Sequence, residues 1–256
     1  MHATAIACNV TFVIGSSFFF SAVPEAWGPK AGATCFLVAS IIMMITSVIG
    51  SLEHLAYLRT APAARKEWAD LTDREASKLY LESRELLEEA CYFLGSTAYA
   101  VGSVWYEPAF TAAVTHAPKG KQVWEQWAAA LFILGSAFYI LAAYQNALAI
   151  AHEGLFTHEA HRGAAGFWGR QMIKTSLFCT QFGSVLFFSG SFLYQGKLAA
   201  CFTGMAPRIP IDQGSLQFIS GSACYLIQSL LSLAQTLRLD GQEHVPSLAA
   251  PDAVTL

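Results

Sequence analysis

"YFLGSTAYAVGSVWYEP", residues 92–108, sets a glycine–serine pair at 95–96 and a second at 102–103, seven residues on. No charged residue interrupts the stretch before Glu107. Seven residues is two turns of an α-helix, so both pairs fall on one helix face. In lipid, helices associate through close backbone contact and interhelical hydrogen bonds, and small residues permit both. The face therefore reads as a helix–helix seam inside a membrane.

The rest of the chain repeats this design. Of 256 residues, 54% are hydrophobic and only 13% are charged, about half the charged share of a soluble domain. The mean hydropathy is +0.42. Six stretches lack Asp, Glu, Lys and Arg: 5–23, 31–52, 90–106, 126–151, 175–196 and 213–237. Crossing a bilayer takes about 20 apolar residues. Buried helices of a soluble fold are the competing reading, but such helices carry a charged face. The first stretch could also be a signal peptide; no Lys or Arg precedes it, so the basic leader region is missing. It is read as a mature helix.

Each stretch holds a small-residue pair near its middle, most with a second pair seven residues on. They are Gly15-Ser16 with Ala22, Ala39-Ser40 with Thr46-Ser47, and Gly95-Ser96 with Gly102-Ser103. Next come Gly135-Ser136 with Ala142-Ala143, Gly183-Ser184 with Gly190-Ser191, and Gly221-Ser222 with Ser229. Taking Gly15, Gly95 and Gly183 as one set of anchors, and Ala39, Gly135 and Gly221 as another, gives three two-helix units in series. Successive units point the same way through the membrane. The expected fold is all-α: a polytopic bundle of six transmembrane helices, arranged as three parallel hairpins with approximate threefold pseudosymmetry. The unit bounds are 1–60, 90–151 and 175–238, with connections 61–89 and 152–174 and a disordered tail at 239–256.

"FVIGSSFFF" (12–20) followed by "CFLVASIIMMITSVIGSLEHLAYLR" (35–59) resembles the YrhK-like domain, a small two-helix membrane domain. "LFCTQFGSVLFFSGSFLY" (177–194) with "GSLQFISGSACYLIQSLLSLAQTLRL" (214–239) is similar to it again, and the middle unit fits more loosely. The basic stretch that follows the second helix in that family is represented only by Arg59 and Arg238. The resemblance implies membrane residence and hairpin topology, and carries over no catalytic residue.

An even number of spans puts both termini on one side, together with both long connections. That side holds ten Lys and Arg residues and the other side five, so positive-inside logic makes the termini cytoplasmic, or on the equivalent face of an organelle. Trp27, Trp105, Tyr106, Trp124, Trp127 and Tyr194 suit the opposite interface. In the first connection, Thr72 and Glu75 form a capping-box pattern after Leu71. An amphipathic cytoplasmic helix is expected there, running into the third span.

The candidate chemistry is sparse. His54, His152, His158 and His161 are the candidate metal ligands, with Glu53, Glu153 and Glu159 nearby, but the spacing is not H-E-x-x-H. The spans carry no ionisable Asp, Glu, Lys or Arg, which counts against an ion-coupled carrier. Gln181, Gln228 and Asn146 are candidates for interhelical bonding or for a pore lining. The six cysteines are dispersed and read as reduced packing residues. No phosphate loop, dinucleotide fingerprint or nucleophile elbow occurs. A net charge of −3 gives no reason to expect a nucleic-acid partner. No cofactor is expected. The expected partners are the bilayer, other membrane proteins, or a second copy. A non-enzymatic protein acting through helix packing and assembly is the first reading. A channel or facilitator for a small solute or ion is the alternative, and a metal-dependent membrane enzyme the second alternative.

Overall fold

The computed structural model describes residues 2–20, 22–24, 27–67, 70–106, 118–152, 164–193 and 208–243. Among them the fold is all-helical: α1 His2–Ser17, α2 Gly28–Thr60, α3 Asp73–Tyr106, α4 Pro118–His152, α5 Ala164–Leu193 and α6 Arg208–Glu243, with a 3-10 turn at Pro62–Arg65. Four helices, α2, α4, α5 and α6, are long and apolar enough to cross a membrane.

The helix ends follow local chemistry. Pro29 occupies the first turn of α2, where the missing amide costs nothing. That helix stops ahead of Pro62, and Ala61 adopts the extended geometry that a following proline favours. Thr72 and Glu75 form the expected capping box. The Thr72 amide donates to Glu75 at 3.0 Å and the Glu75 amide donates to the Thr72 hydroxyl at 3.3 Å. Beyond the cap, α3 runs without interruption from the charged segment into the apolar one, as expected.

Three boundaries differ from the sequence reading. α1 has 16 residues and ends at Ser17 rather than continuing toward residue 23. The Ser17 hydroxyl donates to the Ile14 carbonyl, and the amides of Phe18 and Phe19 return to the carbonyls of Gly15 and Ser16. That i→i+3 pattern tightens and closes a helix, leaving Ala22 outside the seam. α5 begins at Ala164, so Arg170 and Lys174 are helical. α6 continues past Arg238 to Glu243, into the segment expected to be a tail. The remainder of that tail, with His158, His161, Glu153 and Glu159, lies outside the described residues.

The helices form a closed ring in chain order. Each packs on its neighbours in sequence, and α6 returns to α1. The seams are as close as small residues allow. A Cβ added at Gly95 would lie 3.0 Å from the Gly135 carbonyl oxygen, and one at Gly135 would lie 2.9 Å from that of Gly95. Gly183 and Gly221 stand in the same reciprocal relation, at 3.1 and 3.0 Å. One heptad on, Gly102 meets the carbonyl of Ala128, and Gly190 that of Gly214, both at 3.1 Å.

The α1–α2 seam corrects the sequence register. Gly32 meets the carbonyl of Gly15 at 3.1 Å, and the Cys8 thiol donates to the Ala39 carbonyl at 3.2 Å. Gly15 therefore takes the seam position of Gly102 and Gly190, and Cys8 takes that of Gly95 and Gly183. Aligning Gly15 with Gly95 and Gly183 is therefore one heptad out; Cys8-Asn9 holds that position without looking like Gly-Ser.

Aromatic rings fill the axis. Phe12, Tyr99 and Phe187, from α1, α3 and α5, form a triangle with centroid separations of 6.5, 6.1 and 6.1 Å. Phe36 of α2 lies 6.1 Å from Phe132 of α4 and 5.9 Å from Phe218 of α6, making a second layer. All six rings are buried. The outer surface is the reverse. Ile45 and Leu52 on α2, Leu94 and Val101 on α3, and Leu134 and Leu141 on α4 are exposed, again seven residues apart. An apolar exterior around small and aromatic interior faces is the arrangement a lipid solvent selects.

Candidate functional site

The two aromatic layers do not fill the whole axis. On the side where α1 starts, a cavity of about 240 Å³ is lined by residues from all six helices. It reaches from Thr4, which is exposed, down to Phe12 and Phe187. Its walls carry Tyr92, Tyr139 and Tyr225 together with Asn9, Asn146, Gln228 and Ser229. Two carboxylates, Glu88 and Glu89, complete the lining, and no lysine or arginine among the described residues is part of it.

The cavity exists because the three helix pairs supply different side chains at matching depths. Where α3 has Tyr92, α1 has Ala5 and α5 has Thr180. Where α4 and α6 have Tyr139 and Tyr225, α2 has Met43. The bulky layer is thus incomplete on the side of the first pair. The acids come from α3 alone, which extends well beyond its apolar half.

Polar bonds fix the lining. The Asn146 amide donates to Glu88 at 3.0 Å. Asn9 donates to the Tyr225 carbonyl at 3.1 Å and to the Ser229 hydroxyl at 2.9 Å, tying α1 to α6. Gln228 donates to Ser232. Burial pushes the Glu88 carboxyl up to about 7; the Asn146 bond opposes this, and Glu89 and Glu85 reinforce it. Burial also raises Glu89, against the pull of Ser47 and His54.

A second polar group adjoins the cavity, outside it. His54 Nδ1 lies 2.9 Å from Glu82 and 3.3 Å from Glu85. These three offer ligand atoms within 4.8 Å of one another. His152 is held elsewhere, bonded to the Ser77 hydroxyl at 2.9 Å and facing the Tyr80 ring at 4.6 Å. Of the expected polar candidates, Asn146 and Gln228 line the cavity, and Gln181 is half-buried and does not.

The packing serines divide into three groups. Ser96 pairs with the Tyr139 hydroxyl, Ser136 with that of Tyr99, and Ser184 with that of Tyr225. Ser16 and Ser191 bond back to the carbonyls of Phe12 and Phe187. Ser103 and Ser222 are buried with hydroxyls that have no partner among the described residues.

Residues 2–55 match the family model of YrhK-like protein. The YrhK-like segment covers α1 and α2 as far as Leu55, including both contacts of their seam and His54. It contributes Asn9, Met43 and Ser47 to the cavity, whereas Glu82, Glu85, Glu88 and Glu89 of α3 lie beyond it. No curated protein and no solved structure matches the chain.

The glutamates are what the sequence reading missed. Glu82, Glu85 and Glu89 recur at three- and four-residue spacing, so they share a helix face. That face continues directly into the apolar run from residue 90, which was the available signal.

Proposed function

We propose that the chain is a non-conducting, non-enzymatic membrane protein of six spans, built as three parallel hairpins, that binds a ligand in its axial cavity. The observation that carries this reading is the axis itself: two layers of buried rings block it, and the polar cavity lies on one side of the block. A conducting path needs a continuous polar or hydrated lining, so the filled axis counts against the channel alternative.

Support for three hairpins comes from the seams, which superimpose by residue offset once Cys8, Gly95 and Gly183 are aligned. The offsets that align Cys8, Gly95 and Gly183 also match Phe12, Tyr99 and Phe187, and those that align Ala39, Gly135 and Gly221 match Phe36, Phe132 and Phe218. In this reading α1 and the apolar half of α3 also cross, completing six spans. The exposed Trp27 and Trp127 anchor one interface and the exposed Trp168 the other. The termini and the cavity mouth then face the cytoplasm, or its organellar equivalent, where Lys and Arg predominate.

Assembly with membrane partners has narrower support, because the small-residue faces are consumed inside the chain. What remains for a partner is the outer apolar surface, which lipid also covers. The metal reading retains the His54, Glu82 and Glu85 group. Metal analysis of the purified protein tests it: content far below one ion per chain dismisses it.

Two measurements test the main reading. Liposomes containing the protein should show no added permeability to potassium or to a small neutral solute. In a cysteine-free background, Thr4→Cys and Trp27→Cys should react with a membrane-impermeant thiol reagent from opposite sides. Measurable flux, or labelling of both positions from one side, overturns it.

A further inference from the structure

We propose that the cavity takes a small organic cation, with its ammonium head against Glu88 and Glu89 and its apolar substituents against the rings of Tyr92, Tyr139 and Tyr225. The inference rests on the binding role proposed above and names the class of ligand.

Three features of the cavity converge on this chemistry. The first is charge. Two carboxylates lie in a lining that, among the described residues, contains no lysine or arginine. A buried carboxylate without a counter-charge is costly and tends to neutralise itself by taking a proton. Glu88 behaves in this way, with burial as the leading cause. The Arg84 guanidinium, on the same helix, is engaged elsewhere, donating to Gln145 at 2.7 Å. Among the described residues, the basic group that acts on both carboxylates is His54, which is already shared by Glu82 and Glu85.

The second feature is the wall. Tyrosine faces attract ammonium groups through the ring quadrupole, most strongly where water is excluded. Tyr139 and Tyr225 lie 6.3 Å apart at 71°, and Tyr92 and Tyr139 lie 5.7 Å apart at 57°, so the rings surround the space rather than stack flat across it. Met43 and Ile42 add apolar surface that a bare metal ion could not use. The third feature is size. A volume of about 240 Å³ exceeds the ~30 Å³ share of one water several-fold, leaving room for a substituted ammonium.

An inorganic cation is a poorer fit. It needs a shell of free oxygen ligands, whereas Phe12, Met43, Tyr92, Tyr139, Phe187 and Tyr225 bring rings and a thioether to the wall, and the Tyr139 and Tyr225 hydroxyls are already paired with Ser96 and Ser184.

The test uses the full chain purified in nanodiscs, titrated calorimetrically with tetramethylammonium and, separately, with tert-butyl alcohol, an uncharged molecule of nearly the same size and shape. Saturable binding of the cation alone is expected, weakened at least about tenfold by Glu88→Gln with Glu89→Gln. Glu75→Gln, at the far end of α3 and outside the cavity, should leave affinity unchanged. Because occupied carboxylates are held ionised, binding below neutral pH should release protons, read from the dependence of the heat on the buffer. No saturable binding, equal binding of the alcohol, or undiminished binding by the double variant overturns the inference. Should the double variant fail to fold, the comparison of cation and alcohol on the unmodified chain decides alone. Glutamate-dependent binding of potassium in place of tetramethylammonium also overturns it. Any of these results leaves the non-conducting bundle standing, whereas flux in liposomes would remove the bundle reading itself.

Discussion

At the scale of single residues, the seam glycines differ in what surrounds them. A methyl group at Gly135 would meet both the Gly95 carbonyl oxygen and the Tyr99 ring at 2.9 Å. Backbone on one side and a buried ring on the other leave it nowhere to go. Gly135→Ala should therefore destabilise the bundle by about 1–3 kcal/mol. Gly169, also helical, has nothing within 4 Å, so Gly169→Ala should be neutral or gain up to about 1 kcal/mol from helix propensity. Thermal unfolding of both variants in the same detergent checks the contrast. A second prediction concerns Ser222, whose buried hydroxyl has no partner among the described residues. Its counterpart Ser136 bonds to the Tyr99 hydroxyl, where the α5 helix has Phe187. The ring environments match, since Gly135 meets Tyr99 Cδ2 and Gly221 meets Phe187 Cδ2. Phe187→Tyr should supply the missing bond and raise stability by about 1 kcal/mol; a lower melting temperature would show that the two positions are not equivalent.

At the scale of an element, α3 is the unusual helix. One end is a capped, charged segment and the other an apolar seam. The Lys66 ammonium, with the backbone and hydroxyl of Thr72, holds the Glu75 carboxyl at about 2 instead of the ordinary 4.5. A depressed carboxyl stabilises the folded state above its unfolded value and loses that contribution as pH falls through the folded one. Hydrogen exchange of the first-turn amides, corrected for intrinsic rates, should therefore show protection at pH 4.5 that is lost on approach to pH 2. In Glu75→Gln the step should vanish. The capping box was legible from Thr72-x-x-Glu75 because its geometry is local. The early end of α1 was not, because the serine back-bond and the i→i+3 closures compete with an apolar run that would otherwise propagate the helix.

At the scale of the whole molecule, acids packed into the ring make stability depend on pH in the opposite sense. Glu88 faces Asn146 of α4, with Glu85 and Glu89 on its own helix and His54 across on α2. Its carboxyl is raised from 4.5 to about 7, so the folded state holds a proton that the unfolded chain has released. Stability should fall as pH rises from 4.5 to 7 and level off above that. Glu88→Gln should flatten this slope, and a slope undiminished in the variant would place its origin elsewhere. This window lies above that of Glu75, so the two effects separate.

The sequence alone determined that the chain is all-helical, where most helices lie, and that Gly-Ser faces are packing surfaces. Those properties follow from hydropathy and from a seven-residue period, both local along the chain. Only the tertiary structure decided which faces meet. It put Cys8 rather than Gly15 opposite Ala39, because a seam is defined by the partner backbone and not by residue type. It also brought Glu88 and Glu89 beside Asn9, Asn146 and three tyrosines drawn from separate helices. A cavity is the volume that side chains from distant segments fail to fill, and no single stretch of the sequence contains it.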